Sequence, residues 1–284
     1  MSTSSLPPTP QARTAWLAEK SCWVREQTLK IHRHAPETRV ASSLSVIELL
    51  TTLYYGEIAQ CFPQSPLHPE RDRIIISKGH GSICLYPILA DLGFFPIAAL
   101  DTVCKPGSFL GGIPDPIIPG YETINGSLGH GLGVATGISL ALRTARKPQR
   151  AFVLLGDGEL NEGAVWEAAM FAGHHKLDKL IAMVDCNGRS MLGYTKDILD
   201  LNPLETKFEA FGWEPYVVRD GHDIAQLQAG FETLLTSSSA KPKVLIAHTL
   251  KGKGVPSLES SPLAHVMGVP SSEIDTLLSN GGAA

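Results

Sequence analysis

Apolar positions along the chain recur with two different periods, and their alternation predicts a layered α/β domain. Residues 13–34 and 42–56 carry apolar positions at helical spacing, the second with Ser42 or Ser43 as N-cap and Gly56 as stop. Short β-branched or wholly apolar runs fit for buried strands follow: RIIIS (73–77), AFVLLG (151–156), LIAMVD (180–185) and KVLIAHT (243–249), with one more inside FEAFGWEPYVVRDG. Helical stretches separate them: ICLYPILADLG, GLGVATGISLALRTAR, EGAVWEAAMFAGHHKL and AQLQAGFETLLTSS. Gly133 and Gly137 give the second of these a small-residue face suited to close packing. This order predicts a mainly parallel sheet with helices on both faces.

Residues 104–126, rich in Pro and Gly, form a loop too long for a mere connector, and such loops in compact domains are functional or disordered. Open parallel sheets bind ligands at the carboxyl ends of their strands. GDGELNEG, DCNGRSMLG and TLKGKG each directly follow a predicted strand, so all three should face one crevice.

Composition narrows the class. The chain has 284 residues, 43% hydrophobic and 18% charged, which suits a globular α/β domain with a sizeable core. One domain is expected over 13–272, with tails at 1–12 and 273–284. A net charge of −4 gives no electrostatic case for nucleic acid or an anionic membrane. Five scattered cysteines without a CxxC pair fit reduced thiols, and neither a secretory h-region nor a membrane-length apolar run is present, so the cytoplasm is expected.

The strongest chemical signal is Gly156-Asp157-Gly158 after one strand and Asn187 after the next. Glycines let backbone N–H groups approach a phosphate, beside the N-terminus of the following helix. An aspartate there would repel phosphate unless a cation lay between them. Asp157, Asn187 and a nearby carbonyl supply hard oxygen ligands of the kind Mg²⁺ prefers, with Ca²⁺ or Mn²⁺ as substitutes.

GDGELNEG followed by DCNG resembles the thiamine diphosphate fingerprint, and further motifs narrow the resemblance to the transketolase family, especially its split, two-polypeptide members. RDRIIISKGHGS, NGSLGHGLGVATG, FGWEPYVVRDGHD and AHTLKGKGV are each similar to a transketolase stretch, in the same order, from about residue 20 to 270. The resemblance implies that His80, Gly156 and Gly158 contact the diphosphate and that Asp157, Asn187 and the carbonyl of Arg189 hold the metal. It implies that Gly126 and Leu128 line the aminopyrimidine and thiazolium, and that His265 sits beside the diphosphate and the reacting carbon. Glu162 and Glu167 match acidic positions at the subunit interface, and Glu162 joins His80 and His265 as a catalytic candidate. His174, His175 and His222 read as capping or solvent-facing, and His130 replaces a family glutamine.

Two positions depart from the family. Arg39 and Ile113 stand where transketolases carry substrate-reading histidines. The resemblance implies two-carbon ketol transfer from a ketose to an aldehyde. Ile113 raises acetyl transfer from a pyruvate-type 2-oxo acid as an alternative, and the lost histidines raise a non-catalytic cofactor-binding subunit. The family's essential glutamate lies in a separate pyrimidine-binding domain, which would begin where this chain ends. A second polypeptide is therefore expected, in an α2β2 heterotetramer. Two other readings fit less well. A dinucleotide fingerprint over Gly131, Gly133 and Gly137 lacks a preceding strand, and the α chain of a 2-oxo acid dehydrogenase E1 would not carry the KGHG and GHD stretches.

Overall fold

The protein is described here by a computed structural model covering residues 6–124 and 126–279. Five strands, β1 (Arg73–Ile76), β2 (Ala151–Gly156), β3 (Leu180–Cys186), β4 (Glu214–Val218) and β5 (Lys243–His248), pair wholly in parallel in the order β1-β2-β3-β5-β4. The helices are α1 (Pro10–His34), α2 (Val40–Leu44), α3 (Ile47–Tyr55), α4 (Leu85–Leu92), α5 (Gly131–Thr144) and α6 (Gly163–His174). They continue as α7 (Thr195–Ile198), α8 (Leu204–Ala210), α9 (Ile224–Thr236), α10 (Pro256–Glu259) and α11 (Ser271–Ser279).

Strand side chains alternate strictly between two cores. Ile76, Phe152, Leu154, Ile181, Met183 and Leu245 pack with α1, α3, α4 and α9, whereas Ile75, Val153, Leu155, Ala182, Val184 and Ile246 pack with α5, α6 and α8. From β3 the chain runs outward past β5 to β4 under α8, then returns through α9 on the other face, as right-handed crossovers require. The reversal sends the segments after β3 and β5 to opposite faces and opens a crevice between them. Register brings Gly156, Asp185 and Ala247 level across it, so the three chemistry-bearing loops leave the sheet together.

Several boundaries differ from expectation for local reasons. Helix α1 begins at Pro10, because Thr9 caps it by accepting from the Ala12 amide at 3.2 Å and proline fits the first turn. The helix expected over 42–56 is two. Lys78 Nζ donates to the Ser42 carbonyl at 2.9 Å, and the Val46 amide bonds Ser43 instead. Residues 271–279 are not a loose tail but form α11, with Ile274 buried in the α1 core. The anticipated tail residues 1–5 and 280–284 lie outside the described residues.

The glycine face of α5 also departs from expectation. A side chain at Gly133 or Gly137 would meet nothing within 4 Å, and the neighbouring Val134 is exposed, so this face packs against none of the described residues. The close approach is at Gly131, where a Cβ would lie 2.2 Å from that of Ser77. Among the described residues no helix is long and apolar enough to cross a membrane.

Candidate active site

The floor of the crevice is a buried ionic network centred on Asp185, the last core-facing position before the β3 loop. Its carboxylate takes hydrogen bonds from Lys78 and Thr249, from Ser45 Oγ at 2.8 Å and from Asn187 Nδ2 at 2.7 Å. Burial raises the carboxyl's pKa, but the Lys78 ammonium and these donors outweigh it and hold the group below its ordinary value. Asn187 is thereby fixed by its amide nitrogen, and its oxygen accepts only from the Arg189 amide, at 3.1 Å.

Asp157 follows β2 and faces this network. Its carboxylate accepts from the Gly158 amide at 2.8 Å and the Gly188 amide at 2.6 Å, tying the GDG loop to the Asn187 loop. Burial and the charge of Asp185 push it up to about 6. A cation beside the carboxylate would offset both effects. Arg189 turns its guanidinium away, onto the carbonyls of Leu258 and Glu259 at 3.0 and 2.6 Å, while its own carbonyl accepts from Lys251 Nζ at 3.0 Å.

Asp157, Asn187 and the Arg189 carbonyl thus come together as expected. The Arg189 carbonyl, already bonded by Lys251, keeps a second lone pair for a cation. Among the described residues no cluster of three His, Cys, Asp or Glu side chains could hold a metal alone. A mixed set of carboxylate, amide and carbonyl oxygens needs a ligand's own oxygens to complete six, which fits a magnesium diphosphate.

Two histidines stand over the floor. His80, in a short 3₁₀ turn after β1, and His265 meet edge to face with ring centres 5.2 Å apart. Lys251 donates to His265 Nδ1 at 3.0 Å, so the imidazole proton resides on Nε2. Burial, then Lys251 and His80, push His265 down to about 3. Burial and the charges of Arg39, Lys251 and Lys78 lower His80 too. Both are therefore neutral at physiological pH. Arg39 is exposed at the start of α2, close enough to lower both histidines, and donates to the Val266 carbonyl at 3.4 Å.

The rim is looser. Gly126 has φ of +118°, and a Cβ there would lie 3.6 Å from Ile113 Cγ2, so the long loop folds these positions together. Ile113 is 45% exposed and Leu128 41%. Glu162 starts α6 with its side chain exposed and packed on Gly129, where any Cβ would clash at 2.7 Å. Glu159 joins rim to floor: it accepts from Ser77, from the Gly129 amide at 2.9 Å and from the Gly156 amide at 3.1 Å.

The sequence reading gave no role to Lys78, Lys251, Asp185 or Glu159, although both lysines lie inside the SKGHG and TLKGKG motifs. Their lysine pattern was the available signal. His222 is no surface residue: Nδ1 bonds Glu48 at 2.8 Å and Nε2 accepts from the Leu250 amide at 2.8 Å, which anchors the Lys251 loop. His174 is exposed and His175 ends α6, as read, and His130 is exposed.

Comparison with known proteins places the chain in a family. Residues 33–283 match the family model described as transketolase, thiamine diphosphate binding domain. A 6-deoxy-6-sulfo-D-fructose transketolase subunit SqwG from Clostridium sp. (strain MSTE9) is 40% identical, over 86% of this chain and 88% of its own. An apulose-4-phosphate transketolase subunit from Actinobacillus succinogenes is 39% identical, over 88% and 90%. The solved transketolases of Leishmania mexicana and Campylobacter jejuni superpose with TM-scores of 0.85 and 0.81 at 25% and 27% identity. The chain covers 41% and 45% of those two proteins' lengths, and they cover 93% and 92% of this one.

Proposed function

The chain belongs to the transketolase family, and from that premise we propose that it is the diphosphate- and metal-binding subunit of a two-polypeptide transketolase. The reaction proposed is transfer of a two-carbon ketol unit from a ketose donor to an aldehyde acceptor. The observation that carries the reading is the joining of Asp157, Asn187 and the Arg189 carbonyl beneath the neutral pair His80 and His265. The relatives act, by their names, on a sulfonated and a phosphorylated ketose, which supports an anionic ketose here, with Arg39 available to its charge.

In this reading Mg²⁺ would be held by Asp157, Asn187 and the Arg189 carbonyl, and the diphosphate by Gly156, Gly158, His80 and His265. Bound thiamine diphosphate supplies the nucleophilic carbon and electron sink for C–C cleavage. The chain's own residues orient and move protons. His265 presents Nε2–H, a donor for an oxygen that gains charge, and its low proton affinity keeps it from being trapped as imidazolium. Neutral His80 is able to accept a proton beside it. Gly126 and Leu128 would line the cofactor's rings.

A separate pyrimidine-binding polypeptide would cover the rim. The exposed faces of α5 and α6, with Gly133, Val134, Gly137, Met170 and Phe171 open, support such a contact, and Glu162 and Glu167 lie along it. The relatives' names as subunits support the same division, and an α2β2 assembly in the cytoplasm is part of this proposal. The test is reconstitution of the full chain with its partner, thiamine diphosphate and Mg²⁺, followed by an assay of ketose cleavage. Turnover by the chain alone would refute the split-enzyme reading. No cleavage by the reconstituted pair would favour a non-catalytic cofactor-binding role.

A second reading rests on Ile113. An isoleucine beside Gly126 favours a methyl over a hydroxyl, since a buried hydroxyl without a partner costs roughly 1–3 kcal/mol. Acetyl transfer from a pyruvate-type donor is the outcome it would produce, and a donor competition between pyruvate and xylulose 5-phosphate separates the two.

A further inference from the structure

Lys251 donates to His265 Nδ1 at 3.0 Å, and the groups that hold Lys251 lie behind it, away from the crevice. We infer that Arg25, Glu48 and His222 form a clamp on the turn 250–253, and that they are positioning residues which keep the proton of His265 on Nε2 by way of Lys251. The inference rests on the role proposed above for His265 only where it concerns turnover.

His222, in the turn between β4 and α9, accepts from the Leu250 amide on Nε2 at 2.8 Å. An amide N–H can only donate, so the ring proton lies on the other nitrogen, Nδ1, which faces Glu48 Oε2 at 2.8 Å. Glu48, in α3, is buried. Burial raises its pKa, but the Arg25 charge and the His222 hydrogen bond outweigh it and hold the group below its ordinary value. The carboxylate therefore accepts on both oxygens, from His222 on one and from Arg25 Nη2 on the other. Arg25, buried in α1, sets Nη1 on the Lys253 carbonyl at 2.8 Å and on the Leu44 carbonyl at 3.2 Å. One charged unit thus grips the turn on both sides of Lys251. The Gly252 amide adds a bond to the Ala41 carbonyl at 3.1 Å, but the Leu250 amide has no partner except His222 among the described residues.

Lys251 needs such a grip. It is 2% exposed, and its ammonium bonds the Arg189 carbonyl and His265 Nδ1, both at 3.0 Å. Charge alone does not keep it there. Burial and Lys78 disfavour the ammonium more than Asp185 and Asp157 favour it, so its pKa lies below the ordinary value. A side chain so placed stays where its backbone is pinned, and the clamp pins it. His265 Nδ1 has a second neighbour, Ser42 Oγ at 3.4 Å, but a hydroxyl donates or accepts and fixes no tautomer. An ammonium can only donate. Lys251 therefore decides which nitrogen of His265 carries the proton.

Long-range ¹H–¹⁵N correlation spectra of the full chain with labelled histidine test this, because they distinguish the two neutral tautomers of each ring. His265→Gln and His222→Gln assign the signals. In the unaltered chain His222 should be the Nδ1–H form and His265 the Nε2–H form. The opposite form at either ring would overturn the inference, whether or not any variant folds. Lys251→Met, His222→Ala and Glu48→Gln should each turn His265 into a mixture of tautomers. Glu48→Gln acts by making one of two acceptors a donor, so that Arg25 or His222 loses its partner. His222→Gln keeps an oxygen for the Leu250 amide and should keep His265 in the Nε2–H form. In the reconstituted enzyme with His222→Ala, kcat should fall about tenfold or more while KM for the ketose changes less than about twofold. Adding Lys251→Met to that variant should cost little further, since the two residues act in one line. A pure Nε2–H form of His265 in folded His222→Ala and Glu48→Gln would overturn the inference, and so would additive losses in the double variant. If the reconstituted pair cleaves no ketose, the proposed function falls, and the tautomers still decide the clamp.

Discussion

The floor and the rim of the crevice are made by different means. At the floor, Lys78, Asp157, Asp185, Asn187 and Lys251 are all buried, and each is fixed by hydrogen bonds from other elements of the same chain. At the rim, Ile113, Leu128, Arg39 and Glu162 are exposed, and they hang on loops or helix starts with few or no side-chain bonds. On the reading proposed above, the chain finishes the part of the site that would hold the cofactor and leaves open the part that would meet the substrate. A preorganised floor also keeps its charges from reorganising when a ligand arrives, which is where electrostatic catalysis gains most.

The contrast can be broken at its strongest point. Asp157→Ala removes the carboxylate that ties the Gly158 and Gly188 amides and supplies the proposed metal ligand. It should abolish Mg²⁺-dependent thiamine diphosphate binding, a loss of at least about 100-fold, or roughly 2.7 kcal/mol, by calorimetry. Affinity like that of the unaltered protein would remove Asp157 from the metal set.

On the side of stability the test is Lys78→Met. It leaves Asp185 buried without its cation, and breaking such a pair costs about 3–5 kcal/mol. Denaturant unfolding should show a loss of that order, and Lys78→Met/Asp185→Asn should recover part of it. A near-neutral single variant would mean that the floor is not held by this pair.

A titration sharpens the comparison on the rim's side. His32 Nδ1 bonds Thr38 Oγ1 at 2.9 Å, next to Arg39, and Nε2 accepts from the Val269 amide at 3.1 Å, near His265. Burial pushes its pKa from 6.5 down to about 4, so the folded state binds fewer protons than the unfolded one between those values. Its contribution to stability is full above pH 6.5 and is lost as the pH falls toward 4. His32→Gln should flatten that part of the stability profile, measured by unfolding at a series of pH values. A slope equal to the unaltered protein's would show that His32 is not the group responsible.

The smallest effect belongs to the rim itself. Ile113→His should shift preference toward hydroxylated donors by about tenfold, roughly 1.4 kcal/mol, without changing cofactor affinity. Unchanged selectivity with the reconstituted enzyme would separate Ile113 from donor choice.

Legibility follows the same division. Strands and their order of appearance could be read because a sheet buried on both faces requires unbroken apolar runs such as AFVLLG and LIAMVD. Asp157, Asn187 and the histidines stood out because glycine-flanked polar residues at strand ends have few purely structural explanations. The break between α2 and α3 could not be read. It depends on Lys78 reaching the Ser42 carbonyl across 36 positions, a contact that no local pattern encodes. Asp185 and Glu159 were hidden for a related reason, since a buried carboxylate is identified by its partners and not by its neighbours in sequence. What the glycine face of α5 packs against could not be read, because spacing reports which residues share a face but not what lies opposite.

Glu159 has a consequence for how the protein comes into being. Its carboxylate joins the Ser77 hydroxyl, 82 positions away, and the Gly129 amide, 30 positions away, to a turn beside itself. Contacts that close such long loops repay their entropy only after the intervening chain has been ordered. The catalytic loops must therefore lock late in folding, once β1 and β2 have paired. A nascent chain that has emitted only its first half holds no partial site, and fragments cut between β1 and β2 should bind no cofactor at all.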